Sequence, residues 1–190
     1  MLKRLLAMSL LLGLSILAPA QETREISARY LLMDARGRAV TQEDFRGRWQ
    51  LITFGFTSCP DVCPTTLLEF KQILDTLGTN ADRLQPIFIS VDPERDSAGV
   101  LHDYTQAFDK RILGLSGSSE LTRSAANNFK VRYSRVVEPG AASGIYTMEH
   151  SVGMFLLGTD GQFLMKFSYA TPVRDITQRI RDVIAPRRSR

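Results

Sequence analysis

The chain has 190 residues, 44% of them apolar, and carries 24 basic against 20 acidic side chains for a net charge of +4. That length and apolar share suit one domain with a full hydrophobic core and exclude a disordered chain. The charge is small, and Lys3, Arg4, Arg187, Arg188 and Arg190 all lie at the two ends, so the body is near neutral and no nucleic-acid partner is expected.

Residues 1–20 have the layout of a secretory signal: Lys3 and Arg4 precede the apolar stretch 5–17, and Ala18-Pro19-Ala20 supplies a small-residue cleavage site. The stretch is shorter than the roughly 20 apolar residues a spanning helix needs, so cleavage is expected rather than a retained inner-membrane anchor facing the periplasm. Residues 21–190 are then a single exported domain in the periplasm, touching a membrane only through a target or an uncleaved N-terminus.

In chain order, residues 30–33 and 39–40 flank the turn signal Asp34-Ala35-Arg36-Gly37 and predict an N-terminal hairpin. The apolar run 51–56 reads as a strand buried on both faces. Pro64 suits the first position of a helix whose apolar residues Leu67, Phe70, Ile73, Leu74 and Leu77 recur at helical spacing up to Gly78. A second buried strand at 86–91 ends at Asp92-Pro93, and a helix covers 98–108. Residues 111–115 read as an edge strand, and 119–129 as a helix capped by Ser118 or Ser119. The stretch 134–145, rich in Gly, Ala and Ser, reads as a long loop. Strands at 152–157 and 162–167 flank Thr159-Asp160-Gly161, a hairpin signal, and a helix at 173–184 closes the chain. This pattern predicts an α/β, thioredoxin-like fold: a central mixed sheet flanked by helices, with an N-terminal hairpin and a late antiparallel one.

The chain has two cysteines, and both fall in Thr57-Ser58-Cys59-Pro60-Asp61-Val62-Cys63-Pro64, directly after the first core strand. A helix N-terminus favours thiolate through the positive end of its dipole, and thiolates do redox chemistry or bind soft metals. The plain alternative is a structural disulfide, but closing so small a loop stabilises the fold by only about 2 kcal/mol. Of the two histidines, His102 reads as a solvated helix residue. His150 stands at the entry to the late hairpin, where this fold brings the chain beside the cysteines, with a turn histidine bonded to its own backbone as the plain alternative. Two thiolates and an imidazole suit copper, as Cu(I) or Cu(II), although zinc accepts the same donors. Asp92, at the end of a central strand, is a candidate additional or supporting ligand, with a plain turn role equally open. Met148 and Met154 read as core filler.

The string Phe54-Gly55-Phe56-Thr57-Ser58-Cys59-Pro60-Asp61-Val62-Cys63-Pro64-Thr65-Thr66-Leu67 resembles the signature of the SCO/SenC copper-binding proteins. Phe88-Ile89-Ser90-Val91-Asp92-Pro93-Glu94-Arg95-Asp96 and His150-Ser151 are similar to the same family's later motifs. The resemblance implies a copper site of Cys59, Cys63 and His150, with Asp92 matching an acidic residue near the metal. It implies a metallochaperone rather than an enzyme, one that delivers copper to, or reduces the cysteines of, the binuclear centre of cytochrome c oxidase subunit II. Other copper chaperones or thiol reductants are then its further partners. Glu149 departs from the Asp the family often has there, and Met33 from a common Thr; neither removes a ligand.

The alternative is a periplasmic thiol-disulfide oxidoreductase that uses Cys59 and Cys63 as a redox-active pair without metal. It leaves His150 without a role, and the three residues between the cysteines exceed the two of most such enzymes.

Overall fold

The computed structural model of the protein describes residues 25–185; the signal stretch 1–20 and the C-terminal arginines lie outside the described residues. Strands β1 (Leu31–Met33) and β2 (Ala39–Thr41) form the expected N-terminal hairpin. Its turn is built on Asp34, whose carboxylate accepts the backbone N–H groups of Arg36 and Arg38. In chain order there follow β3 (Trp49–Gly55), α1 (Val62–Leu77), β4 (Leu84–Ser90), α2 (Ala98–Gln106), β5 (Leu113–Leu115), α3 (Ser119–Phe129), β6 (Tyr133–Val136), β7 (Thr147–His150), β8 (Met154–Leu157), β9 (Phe163–Phe167) and α4 (Val173–Ile184).

The central sheet runs β5-β4-β3-β8-β9, with β3, β4 and β5 parallel and β8 and β9 antiparallel to their neighbours. Every residue of β4 is buried, and so is β3 beyond Trp49, which is why both read as continuous apolar runs rather than alternating ones. Helix α1 buries Leu67, Phe70, Ile73, Leu74 and Leu77 and packs beside α4, which buries Ile176, Ile180 and Ile184. Phe54, Phe129 and Phe155 meet edge to face, their ring centroids 5.2–6.1 Å apart. Each such fully buried side chain contributes about 1.5–3 kcal/mol. The architecture is the expected one: mixed α/β, a central mixed sheet flanked by helices.

Two local expectations are corrected. Helix α1 starts at Val62, so Pro64 is its third residue; its missing N–H still costs nothing, because no first-turn N–H has an intrahelical acceptor. The stretch 134–145 is not wholly loop, for β6 pairs antiparallel with β7 as a ribbon outside the main sheet, Tyr133 opposite His150. Its strands give no hydrophobic alternation because Ser134 and Arg135 are exposed and no residue of β6 is fully buried.

This topology fixes where chemistry can happen. Parallel pairing sets Gly55 against Ser90, so the loops leaving β3 and β4 emerge at one edge of the sheet. Strand β8 runs the other way and begins at that same edge, Thr53 opposite Met154, with the Thr53 hydroxyl donating to the Gly153 carbonyl at 3.0 Å. Gly153 is needed there: its φ is +132°, and a Cβ would meet the Phe167 carbonyl oxygen at 2.6 Å.

Candidate metal centre

The loop from β3 to α1 carries both cysteines. Cys59 is half-buried and Cys63 buried, and both are free thiols. Cys63 is the second residue of α1, and its backbone N–H donates to the Cys59 sulfur at 3.4 Å. Asp61 makes no side-chain capping bond, so the Cys59 sulfur takes one of the donors left open at the start of the helix. Beneath them, a Cβ on Gly55 would stand 2.7 Å from the Cys63 sulfur and 2.6 Å from the tip of the Phe88 ring. Glycine at the end of β3 therefore makes the space that the Cys63 side chain fills.

His150, 87 positions further along the chain, reaches the same place: its Nε2 lies 3.8 Å from the Cys63 sulfur. Its Nδ1 stands 3.0 Å from the Ser151 carbonyl, which can only accept, so Nδ1 carries the proton and Nε2 presents its lone pair to the sulfur. The ring stands edge-on to Phe56, centroids 5.9 Å apart. Ser151 is itself fixed, its N–H donating to the Arg132 carbonyl at 2.8 Å and its hydroxyl accepting the Arg132 N–H at 3.1 Å.

Burial dominates the electrostatics. It pushes the Cys63 thiol well above its ordinary range, against the lowering expected from the helix dipole. The same burial holds the His150 imidazole below its ordinary value, so the ring is neutral, the form that ligates metals.

Asp92 is buried at the end of β4, and its carboxylate is fully engaged. Arg95 Nε donates to Oδ2 and the Tyr146 hydroxyl to Oδ1 at 2.9 Å. The Tyr146 ring lies between two guanidinium groups, Arg95 at 3.8 Å and Arg135 at 3.6 Å from its centroid, and Arg95 also faces Phe56 at 5.9 Å. Asp92 thus ties the β4 loop to the ribbon that carries His150. His102 is exposed on α2, Met154 is buried in the core, and Met148 packs against the core half-buried.

Sequence reasoning missed Asp96. This fully buried carboxylate accepts the Thr57 backbone N–H at 3.0 Å, the Thr57 hydroxyl and the Ser90 hydroxyl at 2.7 Å, pinning the start of the cysteine loop to the end of β4. The one hint in the sequence is its place in the Asp92–Asp96 string.

Among the described residues no three His, Cys, Asp or Glu side chains are grouped so as to hold a metal ion as placed. Cys63 is the residue that meets both others, its sulfur 3.8 Å from His150 Nε2 and its backbone N–H 3.4 Å from the Cys59 sulfur. The donor chemistry suits a soft ion: two sulfurs, one neutral imidazole with its second nitrogen anchored, and apolar walls from Phe56 and Phe88. A wider cleft of about 520 Å³, lined by Asp92, Arg123, Arg135 and Tyr146, lies along the ribbon and contains neither cysteine nor His150. No helix among the described residues is long and apolar enough to cross a membrane.

The SCO1/SenC family model matches residues 18–185. The mitochondrial protein SCO2 homolog of Bos taurus is 39% identical over 162 residues, covering 84% of this chain and 60% of its own length. The chain thus spans about three fifths of that relative. Arabidopsis thaliana ScoI, solved with copper bound, superposes with a TM-score of 0.77 at 32% identity, covering 84% of this chain and 98% of that one. BsSco, described as a member of the Sco family of cytochrome c oxidase assembly proteins with a disulfide switch, shares the fold at 22% identity, a TM-score of 0.62 and coverage of 82% and 91%. With a family match over residues 18–185, nearly its whole length, and a relative 39% identical over 84% of the chain, the chain belongs to the SCO1/SenC family.

Proposed function

We propose that the protein is an exported copper chaperone that takes one copper ion on Cys59, Cys63 and His150 and serves assembly of the binuclear copper centre of cytochrome c oxidase subunit II. The observation that carries this is the 3.8 Å approach of His150 Nε2 to the Cys63 sulfur from a separate ribbon, with the ring already held in the ligating tautomer. A dithiol oxidoreductase could use the same imidazole to take up the Cys63 proton, so the variant that separates the two readings is His150→Ala, read by copper binding and by disulfide exchange. Relatives solved with copper bound support the same cargo.

Capture releases the thiol protons as Cu–S bonds form, and burial makes the Cys63 proton hard to lose until the ion compensates. Delivery would be ligand exchange: the bonds from copper to Cys59, Cys63 and His150 break as bonds to the target's donors form, and the protons leaving the target's thiols are matched by those that Cys59 and Cys63 take back, with no net electron transfer for Cu(I). Asp92 supports the site by holding Tyr146 and Arg95 in place rather than by ligation. Export to the periplasm, through residues 1–20 as a cleaved signal or a retained anchor, places the protein where an oxidase copper centre is loaded.

An anaerobic copper titration of the reduced protein tests the reading, with Cys59→Ser, Cys63→Ser and His150→Ala alongside. One tight equivalent in the parent, lost in all three variants, is the expected result. A parent that binds copper no better than His150→Ala while still exchanging disulfides replaces this reading with the oxidoreductase one.

A further inference from the structure

The cleft of about 520 Å³ along the ribbon is a surface that the metal site does not use. Its walls are the β4 loop at residues 91–94, the exposed side of α3 at Arg123 and Asn127, and the ribbon at Tyr133, Arg135, Tyr146 and Met148. In the ribbon Tyr133 stands opposite His150 and Arg135 opposite Met148, and side chains two apart on a strand share a face. The cleft therefore opens on the ribbon face that carries His150, beside the rim where the loops leave β3 and β4.

Five charged side chains line it: Asp92, Glu94, Arg123, Arg132 and Arg135. Both carboxylates are already paired, Asp92 with Arg95 and Glu94 with Arg135 at 2.8 Å. Arg123 and Arg132 are exposed and form no ion pair among the described residues, so the cleft keeps their positive charge uncompensated. A guanidinium fork matches a carboxylate, and tyrosine faces supply contact area at little entropic cost.

Exchange of copper or of a disulfide brings a partner's sulfur into bonding distance of the half-buried Cys59, so the partner covers this rim. We propose that the cleft is the docking groove of that protein partner and takes an acidic segment of it, whose carboxylates pair with Arg123 and Arg132 while its chain lies against Tyr133 and Tyr146. The contact is non-covalent and leaves the three donors untouched. The inference rests on the proposed copper reading for the partner's task, whereas the groove serves a copper acceptor and a disulfide partner alike.

The test uses the full protein, reduced and copper-free, with two fluorescein-labelled decapeptides followed by fluorescence anisotropy, one alternating glutamate with alanine and the other glutamine with alanine. The expected result is that the glutamate peptide binds about tenfold more tightly than the glutamine one in about 50 mM salt, and that the preference fades in about 500 mM salt. Arg123→Glu should weaken the glutamate peptide about tenfold, with its melting temperature and copper titration as in the parent, and Arg132→Gln should weaken it severalfold. Equal or absent binding of the two peptides overturns the proposal. So does a glutamate-peptide affinity indifferent to both substitutions, which puts the contact elsewhere on the molecule. Displacement by citrate or inorganic phosphate at the peptide's own concentration also overturns it, making the cleft a small-anion site. If the parent binds copper no better than His150→Ala, the copper reading falls and the peptide results still decide for or against the groove.

Discussion

Asp96 holds Thr57 by two bonds at once, accepting the backbone N–H at 3.0 Å and the side-chain hydroxyl at 2.5 Å across 39 positions of chain. This joins the cysteine loop to the end of β4, and the Ser90 hydroxyl donates to the same carboxylate. Asp96→Asn replaces one acceptor oxygen by an amide that cannot accept, leaving a buried donor of Thr57 or Ser90 unpaired. The expected loss is about 1–3 kcal/mol in denaturant unfolding, with copper affinity reduced because the loop no longer holds the sulfurs in register.

Gly55→Ala tests the space beneath Cys63. The added methyl would meet the Cys63 sulfur at 2.7 Å and the buried Phe88 ring at 2.6 Å, and neither has room to withdraw. Overpacking of this kind costs about 1–3 kcal/mol. Thermal unfolding should show that loss, and the copper titration a weaker site, although no ligand has been altered.

The stability of the reduced, copper-free protein should depend on pH at two limbs of opposite sign. Burial lowers the His150 value below 6.5, so the unfolded chain takes the proton first on acidification; the contribution is complete above 6.5 and is lost as pH falls through the folded value. Burial raises the Cys63 value above 9.0, so the folded state keeps its proton longer; that contribution is complete below 9.0 and is lost as pH rises beyond it. Melting temperatures measured across this range should show His150→Gln removing the acid limb and Cys63→Ala the alkaline one.

Tyr146 closes the ribbon onto the β4 loop. Tyr146→Phe keeps the ring between Arg95 and Arg135 but removes the bond to Asp92, whereas Tyr146→Ala removes both. Hydrogen exchange in residues 133–150 should quicken modestly in the first variant and strongly in the second, with β3 and β4 unchanged in both.

The parts legible in the sequence are those whose signal is local. Strands β3 and β4 announce themselves as unbroken apolar runs because both of their faces are covered, and α1 because Leu67, Phe70, Ile73, Leu74 and Leu77 keep helical spacing. Cys59 and Cys63 are adjacent enough to be read as a unit, and His150 could be placed beside them once the fold was assumed. The rest is carried by contacts between distant positions. The β6–β7 ribbon is half-exposed and lacks alternation, the Asp96–Thr57 tie spans two strands, and the anchor of His150 is a backbone carbonyl, which no side-chain pattern reports. The helix dipole suggested an acidic Cys63, but that inference depends on exposure, and the thiol lies at 2% exposure.

The division of the donor atoms between two bodies sets which part of the molecule must yield at transfer. Cys59 and Cys63 share one turn seated on the central sheet, while His150 rides on a ribbon outside it, held by Tyr146 and the Arg132–Ser151 bonds. On the proposed copper reading, release would part the imidazole from the sulfurs at the rim of the sheet, and the packed rings of Phe54, Phe129 and Phe155 hold no donor atom and stand apart from that step.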